Sequence, residues 1–432
     1  MDQPNGNQNA FPVINDFSVI LVAPNVSEQM GGEAIKALQI YLELDRQGVQ
    51  VFQVTHQRVK KELDRKFPGM RVSYLTDGWL QRWIDRTKVL APTLNLIFQY
   101  KAIPIIKQLL ADHPKAVVHF TSPVSPVLPY FAIRGAAVVI GPLNGNIHYP
   151  PAFRHRETKP YRIRRLLHPL MQRVARLFFS GKRKADALLV AGGQRTYQSL
   201  RMAGCREEQL VDSIDSGVDE ALYQKPRVTH QGRNLRFVHN GRLVKHKGTD
   251  LAIRALAGTR NQVVLEVIGR GPELSNLKAL ANQLGLSQRV RFIEWFADHA
   301  QLAAALREYR GFVFPSLCEA NGIVVQEAMI MGLPVICADW GGPSLLVTPQ
   351  CGFLIAPRSE QYMIDQLARA MDTLAEDGAA AERMSIAGRQ RAIDRHFLWP
   401  GVVRDWTAVY RNVIEKRFGP QRRPADATAA SG

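Results

Sequence analysis

Short apolar runs of strand length alternate with helix-length stretches along almost the whole chain, and that alternation leaves few folds open. Phe17 to Ala23, Val49 to Val54, Arg71 to Leu75, Ala116 to Phe120, Ala136 to Ile140 and Asp186 to Val190 read as strands, and a helix from about Gly32 to Gln47 joins the first two. Strands separated by helices cannot pair as tight hairpins. They pair in parallel, with helices covering both faces of the sheet. A polar stretch, residues 224–233, interrupts the pattern with a Pro and a Gly, and a second alternation runs from Leu235 to about Ile355. The pattern predicts an α/β chain of two Rossmann-like, doubly wound domains, residues 17–223 and 234–399, joined by that linker. A final helix, residues 400–418, carries Trp406 and Tyr410 at helical spacing, and the polar ends, 1–16 and 419–432, read as disordered tails. With 432 residues and 46% hydrophobic content, the chain can bury two cores of ordinary size.

Several classes are excluded by composition. The longest apolar runs are strand-length, so none crosses a bilayer as a helix. The opening Met1-Asp2-Gln3-Pro4-Asn5-Gly6 lacks the basic and apolar regions of a signal peptide. Cys205, Cys318, Cys337 and Cys351 match no zinc-ligand spacing and read as reduced thiols of a cytoplasmic protein, with no metal site expected.

The densest chemistry lies between Phe314 and Met329. Gly311 to Phe314 reads as a buried strand ended by Pro315-Ser316, and a helix from near Gly322 to about Met331 is stopped by Gly332 and Pro334. This unit puts Glu319 in the loop, free backbone amides at Asn321, Gly322 and Ile323, and Glu327 about a turn inside the helix. Five helical residues rise about 7.5 Å, roughly the span from a diphosphate on the helix N-terminus to the ribose beyond it. Glu327 then suits two ribose hydroxyls, the amides suit phosphate, and Glu319 falls near a sugar. The plainer alternative is a pair of solvated acids. Earlier, Gly241-Arg242-Leu243 and Lys247-Gly248 follow the run Arg236 to His239, where both cations can project into a cleft and neutralise a departing diphosphate. Ordinary surface cations are the competing account.

Four segments in this order resemble the retaining family 4 glycosyltransferases of GT-B fold: the Glu-(seven residues)-Glu unit, Gly241 to Gly248, Val267-Ile268-Gly269-Arg270-Gly271-Pro272-Glu273, and Asp339-Trp340-Gly341-Gly342-Pro343. The resemblance covers about Phe17 to Tyr410 and is similar to bacterial exopolysaccharide and lipopolysaccharide enzymes. It implies two domains facing a cleft, a last helix crossing back to the first, and donor contacts at Gly31, Gly32, Gly241, Arg242, Lys247, Gly269, Asn321, Gly322, Ile323 and Glu327. It also implies catalytic roles for Arg242, Lys247, Glu319 and His119, the last at the cleft end of its strand, orienting the sugar or holding the acceptor. A lone His there is also compatible with a structural hydrogen bond. Gly141-Pro142-Leu143-Asn144-Gly145-Asn146 looks like the Gly-Pro loop of some exopolysaccharide transferases. Two positions depart from the family: Asn321, where Phe is frequent, and Leu345, where an acid is frequent. The implied reaction moves a sugar from a nucleoside diphosphate sugar to a hydroxyl with retention and without metal or other cofactor, on a lipid-linked or saccharide acceptor. A GT-B sugar-nucleotide epimerase and a non-catalytic donor-binding component of a polysaccharide assembly complex are the alternatives.

The formal charge of +18 is concentrated. Between residues 151 and 184 eleven Lys or Arg face one acid, Glu157, so +10 of the net charge lies in that insert. Leu166, Leu167, Leu170, Val174, Leu177 and Phe178 interleave with the cations at helical spacing, as in a basic amphipathic helix. One expectation is contact with an anionic membrane at the cytoplasmic face through residues 154–184. The other is a helix whose apolar stripe packs onto the first domain. No zinc, helix-turn-helix or ribonucleoprotein motif accompanies the charge, so nucleic acid is not an expected partner.

Overall fold

The central strands are buried from end to end, as Ser18–Val22 (β1), Val117–Phe120 (β4) and Ala137–Leu143 (β5) illustrate. Burial on both faces is what a parallel sheet between two helical layers demands. The computed structural model describes residues 17–76, 78, 91–294 and 299–419. Of the expected tails, 1–16 and 419–432, all but Gly419 lie outside the described residues, and Gly419 N donates to Glu415 O (2.9 Å) at the end of the last helix.

The first sheet has seven parallel strands in the order β3-β2-β1-β4-β5-β6-β7, where β2 is Gln50–His56, β3 Val72–Leu75, β6 Ala187–Val190 and β7 Leu210–Asp212. The second has six in the order β10-β9-β8-β11-β12-β13: Arg236–Asn240 (β8), Val264–Ile268 (β9), Val290–Ile293 (β10), Gly311–Phe314 (β11), Val335–Ala338 (β12) and Gly352–Ile355 (β13). In each sheet the order reverses beside its first strand, between β1 and β4 and between β8 and β11. Loops diverge at such points and leave a crevice at the strands' carboxyl ends.

The last helix, Trp399–Phe418, crosses back to the first sheet. Trp399, Val402, Val403, Trp406, Tyr410 and Val413 join one core with Val19, Leu21, Val117, Val139 and Leu189. Beside it two segments pass between the lobes, with Val218 N donating to Phe397 O (2.7 Å) and Trp399 N to Val218 O (3.2 Å).

This packing corrects the expectation for His119. Side chains alternate along a strand. Val118 and Phe120 enter one core of the first sheet, whereas His119 points to the opposite face, toward the crossing helix. It is fully buried, with Nδ1 2.7 Å from the Tyr410 hydroxyl, Nε2 2.8 Å from Gly141 O and its ring edge-on to Trp406. Burial holds its pKa down at about 3, so the ring stays neutral. His119 fastens the crossing helix to the sheet and faces no cleft.

The charged insert folds as a short turn, Pro151–Arg156, a long helix, Lys159–Phe178, and another short turn, Gly181–Lys184. The long helix packs through its polar side. His168 Nε2 lies 3.2 Å from Ser199 Oγ, and Gln172 Nε2 donates to Pro126 O at 3.0 Å. Its apolar stripe faces outward, with Leu166 64%, Leu170 57%, Leu177 78% and Phe178 76% exposed. Of the two expectations, packing by the apolar stripe is overturned.

Candidate active site

The second sheet's switch point is assembled by close backbone approaches. After β8 the chain turns at Gly241 (φ 155°), and after β9 it turns at Gly269 (φ 150°). The turns lie back to back: Gly241 N donates to Ile268 O at 3.0 Å, Leu243 N to Arg270 O at 2.9 Å, and a Cβ on Gly269 would strike Gly241 O. Glycine is required there by both the positive φ and the contact. Buried Leu243 pins the loop, while Arg242 between them stands exposed, its guanidinium without a hydrogen bond or ion pair among the described residues.

Lys247 ends a single turn, Lys245–Lys247, capped by Gly248 in the left-handed region. A Cβ on Gly248 would collide with Pro315 O, and Leu317 N donates to His246 O at 2.8 Å, so the β8 and β11 loops are sewn together. As a result Lys247 Nζ meets Glu319 Oε2 in an ion pair, with each side chain under a fifth exposed. The two residues come from separate motifs, and the sequence gives no hint that they pair. Glu319's backbone is held in turn by Gly342, whose amide donates to Glu319 O at 2.9 Å.

The helix Ile323–Met331 starts at Gly322 (φ 89°) with no side-chain cap. The amides of Gly322 and Ile323 donate to no backbone carbonyl among the described residues, which leaves the partial positive charge of the helix start open to an anion. Asn321 is engaged elsewhere: its Nδ2 donates to Ser216 Oγ at 2.8 Å, bridging to the segment between the lobes. Glu327, on the next turn, reaches the surface and has no hydrogen-bond or ion-pair partner among the described residues. Loss of water around its carboxylate pushes its pKa up to about 7.

On the first sheet, Gly31 (φ 95°) and Gly32 follow β1 and open the helix Gly32–Arg46, and a Cβ on either would meet nothing within 4 Å. Their room is toward solvent at the β1/β4 switch point, and packing alone does not call for glycine there.

Elsewhere the lobes touch loop to loop. Cys318 Sγ donates to Ile147 O at 3.1 Å, Trp340 Nε1 donates to His148 O at 2.8 Å, and the Arg195 guanidinium lies 3.5 Å over the Trp340 ring. Leu345 fills the space a Cβ on Gly193 would take, so this departure from the family pattern is an inter-lobe contact. The arm before the insert helix docks further: Tyr149 and Phe153 enter the second lobe's core, and Arg156 pairs with Asp250 (2.9 Å) and Glu360 (2.5 Å). Arg195 and Phe153 carry no sequence motif, whereas Trp340 belongs to the glycine-turn motif and Arg156 to the basic run of the insert, neither of which points to an inter-lobe contact. The aromatic spacing of Tyr149 and Phe153 was the available signal; for Arg195 there was none.

Residues 224–391 match the family model described as glycosyl transferases group 1. The second lobe is a group 1 glycosyl transferase domain. Among curated relatives, the chain is 29% identical to the D-inositol 3-phosphate glycosyltransferase of Jonesia denitrificans over 52% of its own length and 57% of that protein. It is 34% identical to the lipopolysaccharide core biosynthesis glycosyltransferase LpsD of Rhizobium meliloti over 35% of its length and 42% of that protein. The chain thus spans about two fifths to three fifths of these two relatives. Over the whole molecule, Anabaena HepE in complex with UDP superimposes with a TM-score of 0.63 at 19% identity, covering 92% of this chain and 100% of that one. WaaG, a glycosyltransferase involved in lipopolysaccharide biosynthesis, gives 0.60 at 16%, covering 93% and 100%. At such identities the likeness fixes the architecture: the chain has the GT-B fold.

Proposed function

We infer that the protein transfers a glycosyl unit, with retention, from a nucleoside diphosphate sugar to a hydroxyl of a lipid-linked saccharide at an anionic membrane surface. One observation carries the donor half: a single crevice gathers an unpaired Arg242, open amides at Gly322 and Ile323, the Lys247–Glu319 pair and an unpartnered Glu327. Phosphate suits the first two, and a ribose diol supplies what Glu327 lacks. On donor binding Lys247 is shared between Glu319 and the diphosphate, leaving Glu319 beside the sugar. The bond from the anomeric carbon to the diphosphate breaks as the bond to the acceptor oxygen forms on the same face. The acceptor proton passes to the leaving phosphate oxygen, so no protein nucleophile is required. Arg242, Lys247 and the helix start supply the positive charge that a metal supplies in other transferases.

A thermal-shift screen of nucleoside diphosphates and their sugars tests the donor half, because a true ligand stabilises the fold by mass action. UDP or GDP should raise the melting temperature of the wild type and not of Glu327→Ala, with EDTA making no difference. No shift with either, or a shift abolished by EDTA, defeats the assignment.

The membrane half rests on the outward apolar stripe of the insert helix and its cations. At about 1 kcal/mol per cation near an anionic leaflet, a few contacts suffice for reversible attachment. Sedimentation with phosphatidylglycerol vesicles should carry the protein down, and phosphatidylcholine vesicles should not. Leu177→Ser with Phe178→Ser should release it without lowering thermal stability, since both side chains are already exposed. Equal sedimentation with both lipids would remove this half.

A further inference from the structure

The segment between the lobes is fastened at close intervals from Ser213 to Val218. Ser213 Oγ accepts from Trp406 Nε1 at 2.8 Å, and Val218 exchanges backbone hydrogen bonds with Phe397 and Trp399, so both ends are tied to the crossing helix and its approach. Gly217 lies flat against it: a Cβ there would come within 2.6 Å of the Trp399 backbone. The two residues before Gly217 reach opposite lobes. Asp215 Oδ1 takes Lys36 Nζ (3.2 Å) from the helix Gly32–Arg46, and Ser216 Oγ accepts from Asn321 Nδ2 (2.8 Å) in the loop that runs into Gly322.

The first of these contacts is sheltered, with Lys36 5% and Asp215 13% exposed, and a buried ammonium of that kind is stable only with its partner in place. One turn back on the same helix, Glu33 Oε2 accepts from Ser122 Oγ at 2.6 Å, across the carboxyl end of β4. A line of polar contacts and short backbone steps therefore leads from the open amides of Gly322 and Ile323, through Asn321, Ser216, Asp215 and Lys36, to Glu33 and Ser122 at the β1/β4 crevice.

We propose that Asn321 is a positioning residue: through Ser216 and the Lys36–Asp215 pair, an anion held at the second lobe's helix start orders the first turns of the helix Gly32–Arg46 and the Glu33–Ser122 pair. The proposal rests on the donor reading above and goes beyond it by joining the donor crevice to the open one. An anion on the Gly322 and Ile323 amides stills the residue before them. The side chain of Asn321, turned to the hinge segment, passes that restraint to a stretch whose ends are fixed. What travels is a loss of local freedom, with no rotation of the lobes required.

Hydrogen exchange of the full chain, followed by mass spectrometry with and without saturating UDP or GDP, tests the route. In the wild type, nucleotide should slow exchange about fivefold in residues 319–331 and about threefold in 213–218 and 32–46. Asn321→Ala and Ser216→Ala should keep the protection of 319–331 and lose the other two. Lys36→Met combined with Asp215→Asn, which removes both buried charges together, should lose only that of 32–46. A merely structural role for these residues would not sort the protection by the link that is cut. Wild-type protection confined to 319–331 overturns the proposal, as does full protection of 32–46 in both alanine variants. Loss of nucleotide protection at 319–331 in Ser216→Ala overturns it too, since Ser216 would then support the donor crevice itself. If neither nucleotide protects the wild type, the donor reading falls, and the ligand-free proteins still decide the route. Ser216→Ala should then exchange about threefold faster than wild type in 32–46, and equal rates overturn the proposal.

Discussion

The two switch points share one topology and are built to different tolerances. At β8/β11, Gly241, Gly248, Gly269 and Gly342 press loop against loop, and backbone hydrogen bonds of 2.8 to 2.9 Å fasten Leu243, Leu317 and Glu319. At β1/β4, Gly31 and Gly32 have empty space around them, and the histidine of the strand end is turned into the core. A rigid, charged crevice suits the part of a substrate that never varies, the diphosphate and ribose. An open one suits an acceptor whose shape is set by other loops and by what lies beyond the protein. Preorganisation and openness are thus divided between the lobes, and each makes a different response to substitution.

The largest effect is expected at Arg242, whose guanidinium has no hydrogen-bond or ion-pair partner among the described residues. Removing a charge-assisted contact to a charge that grows in the transition state costs about 3 to 4 kcal/mol, or 10² to 10³ in kcat. Arg242→Ala should show that loss in steady-state transfer assays with its melting temperature intact, because the side chain supports no packing. A variant within threefold of wild type would mean that the rigid crevice is not where the diphosphate lies.

The next effect compares the lobes directly. Gly269→Ala drives a methyl into Gly241 O and forces both turns apart, so several kcal/mol of stability and the nucleotide response should go together. Gly31→Ala meets no atom, and only its positive φ resists, at a cost of about 1 to 2 kcal/mol. Urea unfolding of the two variants measures the difference. Equal destabilisation would erase the distinction between the crevices.

What the sequence disclosed follows the same division. Strand, loop and helix around Glu319 and Glu327 were legible because punctuation by Pro315, Gly322, Gly332 and Pro334 is local, and the helix runs Ile323–Met331 much as expected. Partnerships across the fold were not. His119 lies on whichever face its strand alternation dictates, and only the returning helix, 291 residues later, shows that this face meets Tyr410. Lys247 and Glu319 were named separately for one site, yet their pairing depends on the stitching of two loops 72 residues apart. Periodicity exposed the amphipathic character of the insert helix, but it cannot say which face points inward. That is settled by Ser199 and Pro126, which offer polar partners to His168 and Gln172. Arg195 lies outside every recognisable motif, and a buried donor left without an acceptor among the described residues, as its Nη1 is, costing about 1 to 3 kcal/mol, is visible only in three dimensions.

The smallest effect is a pH dependence that only the rigid crevice should have. Glu327 has a folded-state pKa raised to about 7 from an ordinary value of 4.5, by desolvation alone. The folded chain therefore holds a proton between those limits that the unfolded chain releases. Stability without ligand should fall as pH rises from about 4.5 to 7 and level off above, with a slope of at most about 1.4 kcal/mol per pH unit. Nucleotide binding should run the other way. A ribose diol donates to the ionised carboxylate, so affinity should drop about tenfold from pH 8 to pH 6, as the ionised fraction falls. Glu327→Gln should flatten both curves, and the difference between variant and wild type isolates this group from other titrations. Urea midpoints and nucleotide titrations at pH 5, 6, 7 and 8 read both trends. If both proteins show the same slopes, Glu327 is not the unpartnered acid that the donor's ribose completes.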